Sequence, residues 1–331
     1  MKGRQHEPQA CAPLAKGQRL NTAALDTRYL SICGFGALWL VSCIIAWPRL
    51  QELAGLAWSD SRYTHLAIVP FISAGLILYD RHFLTGRPNF KSRLGLLAVL
   101  SGVVIQAPLG PWLDSPYLHL AAGAIGIILT WVGAFVLAFG TTVAGRSVFS
   151  LSLLLLAVPP PAALIGAVET LLQHGSAELS AQIFSMIGIP VFRQDLLFSL
   201  PGFTIEIARE CSGIRSSVSL MITALVLGRL GLRSNWTKAT LVLAALPIAL
   251  LKNAIRIVTI SWLGLYVSQD YLRGSLHTSG GPVFSVPALA LLLLILWILS
   301  RSERAVADSP REPNSGAAYP ASVDVASPTG G

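Results

Sequence analysis

Three polar stretches interrupt an otherwise apolar sequence, and they hold the residue types that nucleophilic catalysis uses. The first is Glu206-Ile207-Ala208-Arg209-Glu210-Cys211-Ser212-Gly213-Ile214-Arg215-Ser216-Ser217, which places a thiol where an apolar helical run begins. A helix start carries the positive end of the backbone dipole and free N–H groups, both of which favour thiolate over thiol. Glu206 and Glu210 oppose this, because nearby negative charge raises a thiol pKa. Cys211 therefore reads either as a nucleophile or as a small side chain packed in a core, where cysteine is well accepted.

The second stretch is Lys252-Asn253-Ala254-Ile255-Arg256, late in an apolar run. A charge inside a membrane span costs several kcal/mol and normally persists for a function or a partner, so Arg256 is a candidate to stabilise a thiolate or an oxyanion. Snorkelling to the interface is its bland alternative. Lys252 falls one turn deeper on the same face, so the two cations need anions or water between them. Arg215, at i+4 from Cys211, is a second candidate partner for a thiolate, against the alternative of a structural pair with a carboxylate. The third stretch is His277-Thr278-Ser279-Gly280-Gly281. A histidine there could take and return a proton, and the glycine pair lets the backbone approach something closely; as a lone loop histidine it would be a bystander. Trp58, Tyr63 and His65 sit where an interfacial aromatic belt is expected. Cys211, His277, His65 and His174 have none of the tight spacings of a zinc site, so no metal and no cofactor is expected.

The elements that must position these residues are membrane helices. Hydrophobic residues make up 53% of the 331 positions and charged ones only 12%, a composition that defines an integral membrane protein. The net charge of +8 is scattered over the ends of apolar runs, where topology signals belong, and this argues against nucleic acid as a partner. The four cysteines do not form a disulfide framework, because Cys11 lies in a polar arm and Cys33 and Cys43 share one apolar run. The chain opens on a long polar, basic stretch rather than a cleavable signal, so the first span is expected to remain as an anchor.

Apolar runs predict about eight spans: Tyr29–Trp47, His65–Tyr79, Leu94–Leu109, Leu118–Phe139, Val148–Ala157 extended through Pro159-Pro160-Pro161, Cys211–Leu227, Ala239–Val267 and Pro282–Leu299. The three prolines must end or sharply kink the fifth. Between Gly166 and Ala208 the sequence is more polar. Leu171, Leu172, Leu179 and Ile183 suggest an interfacial helix. Val191 to Leu200, the Pro201-Gly202 turn and the alternating Phe203-Thr204-Ile205-Glu206-Ile207 suggest a β-hairpin on the membrane surface. The expected fold class is an all-α polytopic membrane protein with that interfacial helix and hairpin at its outer face. Its expected parts are a disordered cytoplasmic arm over 1–28, a membrane domain over 29–300 and a disordered cytoplasmic tail over 301–331.

Positive charge sets the orientation. With an inside start, five of the 24 Lys and Arg residues (Arg49, Arg62, Arg193, Arg209 and Arg273) fall outside, Arg215, Lys252 and Arg256 fall within spans, and the remaining 16 fall inside, as the positive-inside rule requires. Cys211 then opens an inward-going helix, Arg256 lies late in an outward-going one, and His277 lies in the loop that follows. All three are expected at the outer face, with both termini in the cytoplasm.

The string Ala208-Arg209-Glu210-Cys211-Ser212-Gly213-Ile214-Arg215-Ser216, the Asn253-Ala254-Ile255-Arg256 motif and His277 with its following glycines closely resemble the exosortase and archaeosortase family of membrane-embedded cysteine transpeptidase-like enzymes. The resemblance extends to Tyr63-Thr64-His65, to the proline-rich end of the fifth span and to the Arg193–Ile207 segment, covering roughly Leu30 to Leu299. It implies a Cys211, Arg256 and His277 centre that cleaves C-terminal sorting signals of the PEP-CTERM type: a short motif, a membrane helix and a basic cluster, carried by exported proteins at the periplasmic face of the cell inner membrane. Cys211 would be the nucleophile, Arg256 would steady the thiolate or oxyanion, and His277 would serve as general acid and base. Arg215, Asn253, Ser212, Gly213 and His65 would support them or contact substrate, although Thr64 and Leu66 stand beside His65 where relatives often have Ser and Gly. Two other readings remain open on the sequence: a transporter or flippase in which Lys252 and Arg256 bind an anionic lipid headgroup, and a membrane acyltransferase using Cys211 and His277.

Overall fold

In a computed structural model the protein is described over residues 16–84, 92–106, 116–207, 213–272 and 281–308. Helix α1 (Lys16–Ile45) is followed directly by α2 (Trp47–Ser59), bent 76° away from it. Pro48 sits in the first turn of α2, where its missing N–H is harmless but would have interrupted a continuous helix. After a 3₁₀ turn over Ser61–Tyr63 come α3 (His65–Tyr79), α4 (Arg93–Gln106) and α5 (Pro116–Arg146). The short α6 (Val148–Leu153) leads through a 3₁₀ turn and the three prolines into α7 (Ala162–Met186), with a 93° bend between the two arms. Three short strands, β1 (Phe192–Gln194), β2 (Leu197–Leu200) and β3 (Phe203–Glu206), precede α8 (Ile214–Gly231), α9 (Asn235–Tyr266) and α10 (Gly281–Asp308).

Among the described residues five helices are long and apolar enough to cross a membrane, and up to seven spans result if each bent pair counts as one. Of the eight apolar runs expected, seven fall on these candidates. The eighth, expected over Leu94–Leu109, corresponds to α4, whose 14 described residues rise roughly 21 Å, less than a bilayer core, with 107–109 outside the described residues. It compensates by lying closely against α5. A Cβ on Gly102 would fall 2.5 Å from Thr130 Oγ1 and 2.6 Å from the Gly126 carbonyl, and one on Gly133 would fall 2.8 Å from the Gly95 carbonyl. Apolar side chains gain little from leaving lipid, so such small-residue seams and interhelical hydrogen bonds carry the association. Gln106 Nε2 donates to Thr130 Oγ1 at 3.0 Å, and Trp131 Nε1 donates across to Ser42 of α1 at 2.8 Å. The bounds at 29 and 300 fall inside α1 and α10, which run from Lys16 and to Asp308.

Two expectations about the polar segment change. The expected interfacial helix is the 25-residue α7, one arm of a bent pair that is either a broken span or a re-entrant loop. Its buried stripe is wider and more polar than the leucine set: Ile165, Glu169, Leu172, Gln173, Ser176, Ala177, Ser180 and Phe184 face inward, Leu179 and Ile183 are half-buried, and Leu171 is exposed. The hairpin is a three-stranded antiparallel sheet in the order β1-β2-β3. Asp195 at φ 55° turns the chain between β1 and β2, and Gly202 at φ 96° turns it between β2 and β3, so Val191–Leu200 is two strands, not one. Phe198 (0% exposed) and Leu200 of β2 pack with Phe184 of α7 and Ile257 and Val258 of α9.

The remaining helices are pinned at one end. Arg229 of α8 pairs with Asp80, just past α3, at 2.9 Å. Glu303 of α10 caps α9 by accepting from the Arg233 and Ser234 N–H groups at 2.9 and 2.8 Å. Helices α3 and α8 therefore have their other ends, His65 and Ile214, together at the opposite pole.

Candidate active site

At that pole the chain leaves β3 at Ile207 and enters α8 at Gly213, and both points are anchored by buried side chains. Gln173 of α7 donates from Nε2 to the Ile207 carbonyl at 2.9 Å. Gly213 adopts a left-handed conformation (φ 71°, ψ 15°) as the residue before α8, which glycine takes without steric cost. A Cβ at Gly213 would come within 3.1 Å of Asn253 Oδ1, so glycine also permits α9 to approach. The Gly213 carbonyl accepts from the Ser217 N–H at 2.9 Å and from the Ser216 and Ser217 hydroxyls at 2.9 and 3.0 Å.

Helix α9 supplies the other side. Asn253, 2% exposed, donates from Nδ2 to Ser176 Oγ of α7 at 3.0 Å. Lys252, 8% exposed, donates to Ser216 Oγ of α8. Arg256 follows one turn later on α9 and is half-buried. The Lys252-Asn253 pair therefore ties α7 and α8 together through one turn of α9, directly beside Gly213.

A second polar group borders this one. Arg62 engages Asp60 at 2.6 Å and lies 3.6 Å from Glu169 of α7. The hydrogen-bonded Arg62 guanidinium holds the Asp60 carboxyl below its ordinary range,. Arg62, Thr64 and His65 share a cleft with Arg215 and Ser219 of α8, floored by Ile68 and Ile222. Of the sequence-selected residues, the structure thus brings Gly213 against Asn253 and places Arg215 beside His65. Cys211, Ser212 and His277 lie outside the described residues. Among the described residues no group of three His, Cys, Asp or Glu side chains is arranged to hold a metal ion.

Sequence reasoning missed Glu169, Gln173 and Ser176, which hold this pole from α7, and Ser216, the partner of Lys252. The signal was present in the first three, spaced at i, i+4 and i+7 on one helical face; following the leucines alone passed over these polar members of the buried face. The pairing of Ser216 with Lys252, 36 positions apart, had no local signal.

Buried cations beside a helix start favour negative charge there. In comparison with known families, residues 57–295 match the transmembrane exosortase model. The chain belongs to the transmembrane exosortase family. Searches of curated proteins and of solved structures return no match.

Proposed function

We propose that this multi-pass membrane protein is a cysteine peptidase or transpeptidase that removes C-terminal sorting signals from exported proteins at the outer face of the inner membrane. The observation that carries the reading is the contact of Gly213 and Ser216 with Asn253 and Lys252. It puts the residues just after Cys211 against those just before Arg256. Cys211 gives up its proton to His277 and attacks the peptide carbonyl, and the negative charge on the tetrahedral oxygen is met by Arg256. Collapse expels the amine of the anchoring tail, which takes the proton from His277, and leaves a thioester on Cys211. An amine, a hydroxyl or water then resolves the thioester. Asn253 and Gly213 set the distance between α8 and α9.

The burial of Lys252 against Ser216 disfavours the flippase reading, which needs this ammonium open to a headgroup. The experiment is co-expression with a tagged exported protein ending in a short motif, an apolar span and an arginine cluster. Wild-type enzyme should shorten the protein by the length of that tail; a tail retained in full would overturn the proposal.

A further inference from the structure

The small sheet has an open edge at the site pole. The Ile207 N–H donates to the Leu196 carbonyl at 3.0 Å, and in the same register Phe198 faces Ile205 and Leu200 faces Phe203. Hydrogen-bonded pairs alternate with non-bonded ones along an antiparallel ladder, so Phe203, Ile205 and Ile207 turn their backbone groups toward β2. Thr204 and Glu206 turn theirs the other way. Among the described residues nothing pairs with the backbone of either, which leaves their N–H and C=O groups in line, about 7 Å apart. The other outer strand, β1, is strapped to α7 by side chains: Arg193 donates to Glu178 at 2.7 Å, and His174 meets Asp195 Oδ1 at 3.1 Å. Packing marks the same asymmetry. Phe198 and Leu200 are buried, whereas Ile205 and Phe203 opposite them are half-buried, so the apolar face thins out at β3. An unpaired edge is a template for another extended chain, and native sheets cover or blunt it. Ile257 and Val258, which pack on this sheet, directly follow Arg256, and Gln173 holds Ile207 where the chain leaves β3.

We propose that β3 is the docking edge for the exported substrate, whose extended segment ahead of its membrane helix adds to the sheet as a fourth strand. The inference rests on the peptidase reading and supplies a surface that holds the peptide backbone. Main-chain groups spaced at the strand repeat are met by an extended polypeptide, and the side chains of that strand tune the fit. Alternate residues of the docked strand fall beside Phe203 and Ile205, so an apolar side chain is favoured at every second position. Thr204 and Glu206 contribute their main chain.

The test mixes the full chain carrying Cys211→Ala, so that no tail is removed, with the tagged exported protein ending in a short motif, an apolar span and an arginine cluster, and follows backbone amide hydrogen exchange in detergent. Substrate should slow exchange at Thr204 and Glu206 at least about tenfold, while Ile205 and Ile207, already bonded to β2, should change little. Unchanged exchange at Thr204 and Glu206 overturns the proposal. So does exchange there that is slow before substrate is added, which would give the edge to a second copy of this chain or to its own 208–212 segment. With Cys211 intact, Thr204→Pro removes an outward N–H and no hydrogen bond of the sheet. Its thermal midpoint should match that of Thr204→Val, which keeps the N–H, and the substrate concentration for half-maximal tail cleavage should be about tenfold higher. Equal concentrations at equal midpoints overturn the proposal, and a lowered midpoint leaves the exchange measurement, made without that variant, to decide. Exchange needs no cleavage, so a wild-type protein that leaves the tail intact refutes the peptidase reading alone.

Discussion

Single side chains at the site pole make claims that can be checked one at a time. Gly213→Ala adds a Cβ at φ 71° and 3.1 Å from Asn253 Oδ1; the left-handed backbone alone costs about 1–2 kcal/mol for a residue with a Cβ. Its thermal unfolding midpoint in detergent should fall, and tail cleavage should fall with it, whereas an unchanged midpoint would mean that α8 does not depend on this turn. Arg256→Lys keeps the charge but loses the planar fork, so cleavage should be severely reduced; undiminished cleavage would turn attention to Arg215. The Asp60–Arg62 contact carries a pH signature. The folded-state pKa of Asp60 is lowered, so its contribution is complete above the ordinary carboxylate range near pH 4 and disappears as pH falls through the lower folded value. Wild type and Asp60→Asn should differ in stability at neutral pH and converge at strongly acid pH; a constant difference would contradict the ion pair.

At the scale of elements, the seam between α4 and α5 is the closest approach that any glycine among the described residues marks. Gly102→Leu would drive side-chain atoms into the Gly126 carbonyl and Thr130, and overpacking of this kind costs about 1–3 kcal/mol. The variant should aggregate at lower temperature on heating in detergent, and an unchanged onset would mean that α4 does not need this seam. The helices themselves were legible in the sequence, because hydropathy alone marks an apolar run and Pro159-Pro160-Pro161 marks a break. The faces of α7 were not. In a membrane protein polar residues turn inward to find partners as readily as leucines turn out to lipid, so Leu171 marks the wrong side and Gln173 the right one. The split of Val191–Leu200 into β1 and β2 was hidden for a different reason. Its turn sits at Asp195, a residue that adopts positive φ less often than glycine, so no glycine or proline punctuated the run. The Cys211, Arg256 and His277 positions stood out by residue type, whereas the α7 residues that anchor Ile207 and Asn253 became visible only when long-range contacts were known.

For the whole molecule, polarity is divided between two poles. Asp80 with Arg229 and Glu303 with the start of α9 close one end, and Gly213, Lys252, Asn253 and Arg62 gather at the other. If the first pole is cytoplasmic, as the distribution of Lys and Arg predicts, a single cysteine placed at Arg233 should resist a membrane-impermeant thiol reagent in intact cells, while one placed at Arg273 should react. Labelling at Arg233 from outside would put the site on the wrong side for an exported substrate. The central claim is that Cys211 is the nucleophile. It is tested most directly by the size of a tagged substrate, bearing a motif, a span and an arginine cluster, in cells that make wild-type protein, Cys211→Ala or Cys211→Ser at equal levels in the membrane. With wild type the substrate should be shortened by its tail, and with either variant it should remain full length, because an unactivated hydroxyl is a far weaker nucleophile than a thiolate. Normal shortening by the Cys211→Ala protein would contradict the account.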